Sequence, residues 1–551
     1  MLLLSILLFS AVVPLTSVHM SSHVFNRLAI LVLLYSSVLA WNMLYLEPIG
    51  VGLGIYGGLS HVTLLSQAFD TFILACASII LLLGSGSIPV LGQQEERFEP
   101  SSSHEPKGLS TYGGVAKGRV AEYPLIIFFT TLGMSTLVSS SDLVTLFLAI
   151  ELQSLALYIL ATIFRDSEAA TSAGLKYFLV GALSSSLILL GSCLLYGLTG
   201  VSSFEGVYLL CSTSGLKGPW FYGGVAVANS PGLGTVQDQG GIHIALVIIG
   251  IALLFKVAAA PFHNWAPDVY DGVPTIVTTW LAIMPKVAIL AFLGEFQGFS
   301  HLGRVYETSY PIWPNILLVS ALLSLVIGGL LGLAQYRIKR LLAYSTISHM
   351  GFILLALAIN TPEGIEAYLF YLVQYVLTST NIFFVLLAFG NHPYGSAPSS
   401  AGFSLFDNAE LSKKPPLLFI SHISRNSNIQ SNPALGLTFA ITLFSMAGIP
   451  PLVGFFAKLM VVYSATHSGY LFLATIAILV SVISAAYYLR VIRVIFFDTP
   501  QFTETTAWWV RPNGNNSMVI GTITLLIIFF IANPLPILNC LHLLALSLFY
   551  W

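Results

Sequence analysis

The chain has 551 residues, of which 56% are hydrophobic and 8% charged, and its mean hydropathy is +0.87. Soluble globular domains carry roughly a quarter of their residues as charges, so this composition excludes a soluble fold and points to an integral membrane protein. A formal net charge of −2 supplies neither the basic surface that nucleic acid demands nor an acidic tail for a cationic partner.

The opening residues, MLLLSILLFSAVVPL, lack a positively charged n-region and a small-residue cleavage site, so a first membrane span is expected there rather than a cleaved presequence. An apolar stretch of about 20 residues crosses the roughly 30 Å hydrocarbon layer as a helix. That window predicts fourteen spans, near 2–18, 26–45, 62–85, 121–139, 142–163, 170–197, 241–260 with a continuation past a break, 275–298, 314–333, 340–359, 364–390, 434–468 interrupted in the middle, 470–495 and 517–535. The tail after Pro536 is too short to assign. Segments 86–120, 199–240 and 391–433 are rich in Gly, Ser and Pro and read as solvated loops.

Lys and Arg collect in loops on the side from which a membrane protein is inserted. With the loops numbered alternately, one side receives fifteen cations, from Arg27 to Arg511, and the other receives Lys217 and Arg304. A missed or invented span in the middle would scramble that division. Both termini then face the cation-poor side. The four cysteines, Cys76, Cys193, Cys211 and Cys540, lie far apart without CxxC or Cys/His spacing, so no metal site and no disulfide framework is expected.

Four lysines, Lys176, Lys256, Lys286 and Lys458, fall inside predicted spans, as does the carboxylate Glu151 in LFLAIELQSLALYIL. An ionisable group in the bilayer core is disfavoured by at least about 2.5–3.5 kcal/mol. Each therefore needs a partner, water or a role. Lys176 lies a turn or two into its helix, where a snorkelling lysine is an equal alternative.

Lys256 precedes a break by Pro261, His263 and Pro267 in LLFKVAAAPFHNWAPDVYDG. Lys458 follows Pro450 and Pro451 in FSMAGIPPLVGFFAKLMVVY, 202 residues later. The offset is five spans, an odd number, so two five-span units would have opposite orientations, as in transporters built from inverted repeats. The same offset takes Glu151 to the neighbourhood of His349 in LLAYSTISHMGFILLAL. Proline frees a backbone carbonyl, which in lipid must find water or a neighbouring helix. A broken helix beside an amine is thus a place for water to enter. An amine holds its proton less tightly when desolvated and more tightly beside a carboxylate, so movement between Glu151 and Lys256 would load or unload a proton. Lys286 would accept it. His349, intrinsically near neutrality, would bridge the two units through water. For His349 and for His263, just after the break, hydrogen-bonded packing is an equal alternative.

AIELQSLALYIL, LLFKVAAAPFHNWAPDVYDGVPTIVTTWLAIMPKVAIL, KRLLAYSTISHMGF and MAGIPPLVGFFAKLMVV resemble the four signature stretches of the antiporter-like membrane subunits of respiratory complex I, over about residues 120–500. Lys458 separates the chain from a paralogue with glutamate there, and the lack of a long lateral helix separates it from another. The long loops favour a fungal mitochondrial member.

The resemblance implies an all-α polytopic membrane protein with about fourteen transmembrane helices, built as two inverted five-helix repeats whose seventh and twelfth helices are broken. Its parts would be 1–120 (three helices and a polar loop), 121–298 (first repeat), 313–497 (second repeat) and 498–551 (a last helix and tail). It implies a proton-translocating subunit of an H+-translocating NADH:ubiquinone reductase, with Glu151, Lys176, Lys256, His263, Lys286, His349 and Lys458 as channel residues. It implies no cofactor in this chain; FMN, iron–sulfur clusters and ubiquinone are expected in partner subunits. Neighbouring antiporter-like and small hydrophobic subunits, and lipids including cardiolipin, are the expected partners, and the inner mitochondrial membrane the location, with the cation-rich loops in the matrix and both termini toward the intermembrane space. Two rivals stay open: a subunit of a multisubunit cation/proton antiporter, and a scaffold subunit whose buried charges merely pair.

Overall fold

The computed structural model describes residues 22–46, 52–87, 122–164, 167–207, 239–300, 312–390, 419–420, 433–497 and 514–549. The predicted span at 2–18 and most of the three long loops lie outside them.

In chain order the helices are α1 (Ser22–Met43), α2 (Leu64–Ser87), α3 (Glu122–Val138), α4 (Leu143–Ala161), α5 (Glu168–Thr199), α6 (Gln239–Val257), α7 (Trp265–Gly272), α8 (Thr275–Ser300), α9 (Ile312–Leu333), α10 (Ile338–Ile359), α11 (Pro362–Gly390), α12 (Pro433–Ala447), α13 (Val453–His467), α14 (Leu471–Phe496), α15 (Gly514–Phe529) and α16 (Leu535–Phe549). Lipid offers no hydrogen bonds, so helices that satisfy their own backbone are what an apolar chain of this kind can form across a bilayer.

Nine of these helices are long and apolar enough to cross a membrane, and the bent pair α15–α16 makes ten if taken as one span. Fourteen is therefore not met as a count of long helices among the described residues. Two predicted spans are split by breaks, α3 is only 17 residues long, and the first span lies outside the described residues. The tail is also corrected: past Asn533 the chain turns through 87° into α16, which packs on α11. One further departure from an all-helical chain is a short hairpin, β1 (Leu53–Ile55) paired antiparallel with β2 (Ser60–Val62). Ser141 Oγ donates to Gly58 O at 2.6 Å and Thr145 Oγ1 to Leu59 O at 3.1 Å, so the hairpin covers the turn between α3 and α4.

The packing of α3–α8 recurs in α9–α14. In both sets the first two helices pair, the third packs on both halves of the broken helix, and the last returns to the first. Helix α8 packs against α11 and joins the sets. The apolar stretch of α8 is wholly buried and those of α10 and α11 nearly so, while α1, α5 and α14 leave most of theirs uncovered, as faces toward lipid or partners must be.

Both breaks are made the same way. Helix α6 stops at a left-handed residue, Ala258 (φ 63°), with Ala258 N–H donating to Phe255 O at 3.2 Å and Ala259 N–H to Leu254 O at 3.1 Å. Helix α12 stops at Gly448 (φ 85°), with Gly448 N–H donating to Ser445 O and Ile449 N–H to Phe444 O, both at 3.1 Å. These are the paired bonds of a Schellman motif, which closes a helix end without an outside partner. Ala258 and Gly448 are 190 residues apart, not the 202 that separates the lysines. Lys256 thus lies just before its break and Lys458 well after the other, so the two lysines are not at equivalent positions.

Candidate functional site

Lys256, in the last turn of α6, is turned inward and donates from Nζ to Ser185 Oγ of α5 at 3.1 Å. It lines a pocket with Gln153 and Tyr158 of α4, Gly181 of α5, Trp265 of α7 and Pro285 of α8. Gly181 is required there, because a Cβ would stand 1.8 Å from Tyr158 Oη. Gln153 Oε1 is buried with no hydrogen bond among the described residues, and an unpaired buried acceptor beside an amine is the setting in which ordered water is found. Glu151 of α4 is the carboxylate whose field reaches Lys256. Across the break, Trp265 Nε1 donates to Phe255 O at 3.0 Å, giving that carbonyl at the end of α6 a second donor besides Ala258 N–H.

Lys286 is buried in α8, one residue after Pro285. Its Nζ donates to Thr346 Oγ1 of α10 at 3.2 Å and lies 5.5 Å from the centre of the Tyr270 ring of α7. One turn along α10, His349 shares hydrogen bonds with Tyr371 Oη (2.8 Å) and Tyr488 Oη (3.3 Å). The fields of both Lys286 and Lys458 reach this imidazole. One turn further, the Phe352 ring lies 5.5 Å from Lys458 Nζ, which donates to Ala447 O, the last carbonyl of α12, at 2.9 Å. Gly448 leaves room for that lysine, since a Cβ there would meet Lys458 Cδ at 2.9 Å.

Thr346, His349 and Phe352 follow at three-residue steps on one face of α10, so contacts to Lys286 and Lys458 are strung along about 9 Å of a single helix.

Two expected residues stand apart from this row. Lys176 is exposed and paired with Asp268 of α7 at 3.0 Å, which is the snorkelling arrangement that the sequence left open. His263 is buried in the break, with its ring 6.5 Å from that of Tyr344 and its Nδ1 unpaired among the described residues.

Sequence reasoning also missed three residues. Lys339, assigned to a loop, is in the first turn of α10 and buried, donating to Val273 O at 2.7 Å. Asp70 of α2 and Glu295 of α8 are two further carboxylates within helices. Thr63 Oγ1 donates to Glu295 Oε1 at 3.3 Å, and the field of Asp70 reaches Glu295. Both acids fell inside predicted spans, Asp70 eight residues into 62–85 and Glu295 three from the end of 275–298, and testing every acid within a span would have found them. Among the described residues no group of three or more His, Cys, Asp or Glu is arranged to hold a metal ion.

A polytopic helical membrane protein with two broken helices and inward-facing lysines belongs to the antiporter-like class. The chain is a member of the NADH:quinone oxidoreductase/Mrp antiporter transmembrane family, whose pattern it matches over residues 140–484. It is 49% identical to NADH-ubiquinone oxidoreductase chain 2 of Rhizopus oryzae over 573 aligned residues, covering all of both chains. It is similar to a chain of respiratory complex I from Thermus thermophilus, with 27% identity, a TM-score of 0.67 and coverage of 98% of this chain and 99% of that one. A chain of the Mrp complex from Dietzia sp. has the same fold, with a TM-score of 0.69 at 18% identity over 96% of this chain and 93% of that one.

Proposed function

We infer that the protein is a proton-translocating membrane subunit of a mitochondrial NADH:ubiquinone oxidoreductase, a multi-pass protein of the inner membrane. Full-length identity to a chain 2 relative supports this reading. The likeness to an Mrp chain is one of fold at 18% identity and gives the cation antiporter no comparable support.

The observation that carries the mechanism is the row on α10, which places one buried imidazole between the buried amine of Lys286 and the half-buried Lys458. In the proposed route, Glu151 approaches Lys256 and favours its charged form, and withdraws to release the proton into the pocket shared with α8. Lys286 takes the proton and Thr346 orients its amine. His349, held between Tyr371 and Tyr488, passes it through water toward Lys458, from which it leaves the chain. Each charge moved against 100 mV requires about 2.3 kcal/mol, so the drive comes from electron transfer in partner subunits, which would hold FMN, the iron–sulfur clusters and the ubiquinone site. Lys176 and His263 take no direct part in this route.

The two sets of helices would be inverted repeats, with the cation-rich loops in the matrix and the termini toward the intermembrane space. Neighbouring membrane-arm subunits and lipids such as cardiolipin would cover the outward faces of α1, α5 and α14. Lys256→Met is expected to abolish most proton pumping and to slow coupled NADH oxidation while the complex still assembles, as read by native gels and proton uptake in inverted membrane vesicles. Unchanged turnover and unchanged protons per NADH would support the scaffold alternative.

A further inference from the structure

Three helices around the first break meet at an ionic junction that the proposed route does not use. Asp268 and Asp271 stand one turn apart on α7. Asp268 accepts from Lys176 Nζ of α5 at 3.0 Å through Oδ2 and from Arg340 Nη2 of α10 through Oδ1. Asp271 Oδ2 accepts from Nη1 of Arg337, which precedes α10, at 2.5 Å. Lys339 Nζ donates to Val273 O, just past the end of α7. Helix α7 is only eight residues long and is separated from α6 by the break, so helix continuity with α6 does not hold it in place.

The rest of α7 reaches both lysines of the first helix set. Trp265 lines the Lys256 pocket and bonds Phe255 O, while the Tyr270 ring lies 5.5 Å from Lys286 Nζ. A displacement of α7 therefore changes the surroundings of both amines together. The junction also has bonds in reserve. Arg340 Nε is buried without a hydrogen bond 3.7 Å from Asp271 Oδ2, and Asp271 Oδ1 is likewise unpaired among the described residues. A shift of about 1 Å would turn that gap into a hydrogen bond.

We propose that Asp268, Asp271, Lys176, Arg337, Lys339 and Arg340 form an ionic clamp that positions α7, through which movement of α10 in the second helix set is transmitted to Lys256 and Lys286. They are positioning residues, since none of them carries the proton. The inference rests on the proton-translocation reading above.

The test uses the assembled complex in inverted membrane vesicles from strains carrying Asp268→Asn, Arg340→Gln, the double substitution, or Arg340→Lys. Assembly, NADH oxidation and protons moved per NADH are measured together. Each neutral single is expected to lower protons per NADH about threefold or more at normal assembly, and the double to fall within about twofold of the worse single, because the two changes remove one interaction. Arg340→Lys, which keeps the charge, is expected to recover most of the loss. A purely structural role would change the amount of complex and leave the stoichiometry alone.

Singles that pump like the parent, or a double whose loss is the product of the two, would overturn the clamp. If Arg340→Gln fails to assemble, Arg337→Gln leaves the Asp268 pairs in place and is expected to lower the stoichiometry about twofold; no change there overturns the proposal equally. Lys256→Met in the same preparation separates the two levels. Normal pumping by that variant defeats the proton reading, whereas its failure to pump beside normal clamp variants defeats the clamp alone.

Discussion

Thr346 and Ser185 illustrate how the amines of Lys286 and Lys256 each meet a hydroxyl, a small dipole that accepts a bond from a charged or a neutral amine alike. A hydroxyl therefore orients the group without fixing its protonation state. Thr346→Val keeps the shape of the side chain and removes the acceptor for Lys286 Nζ. A buried donor left unpaired costs about 1–3 kcal/mol, which corresponds to roughly fivefold to 150-fold in rate. The expected outcome is a proton-pumping rate lower by a factor in that range at unchanged assembly, measured by dye quenching in vesicles. At this scale the sequence was informative about residue type and poor about partners. Lys256, Lys286 and Lys458 are legible as apolar runs that should not contain a charge. Ser185, Thr346, Tyr371 and Tyr488 are not, because serine, threonine and tyrosine are common in such helices and nothing local marks the few that face an amine. Lys176 was ambiguous for a physical reason: one or two turns from a helix end, a flexible stem reaches either the interior or the surface.

Broken helices were readable because proline and glycine punctuate a helix at known positions. The left-handed alanine that ends α6 has no such signature, since alanine favours helix interiors and a φ of 63° is one that residues other than glycine rarely adopt. The misplaced repeat offset has the same origin. Aligning lysine on lysine put Lys256 opposite Lys458, whereas the backbone aligns Ala258 with Gly448. The link between α6 and α7 depends on the indole of Trp265, which also stacks on Tyr177 with ring centres 5.1 Å apart. Trp265→Phe keeps a ring against Tyr177 and removes one of the two donors to Phe255 O, leaving only Ala258 N–H, at a net cost of about 0.5–1.5 kcal/mol. It is expected to lower the thermal stability of the assembled complex and to speed hydrogen exchange at residues 255–265, read by mass spectrometry. Exchange indistinguishable from the parent there would mean that the break is held by other contacts.

For the whole molecule, membrane class and helix order follow from hydropathy alone, but the way two six-helix sets join through the contact of α8 with α11 does not, because every apolar helix can pack on any other until side chains select partners. The sharp turn into α16 escaped for a related reason. Its 15 residues are too few for a confident span, and His542 Nδ1 makes a 2.8 Å hydrogen bond with Glu366 of α11. Ion specificity is also tested at this scale. Reconstituted into sodium-loaded liposomes as the purified complex, the protein is expected to move protons only with NADH oxidation and to exchange no 22Na+ without it. Sodium-coupled exchange in the absence of NADH would instead place it with the cation antiporters.

The acceptor for Lys458 is main chain, the carbonyl of Ala447. No change of side chain at position 447 can delete an oxygen that every amino acid possesses. A saturation scan around this amine should thus return no loss-of-counterion variant to match one at Glu151, and genetics will make the second half look unguarded. Sensitivity will instead surface at residues that set where α12 unwinds, such as Gly448, so the effective mutations there are those of backbone shape rather than of charge.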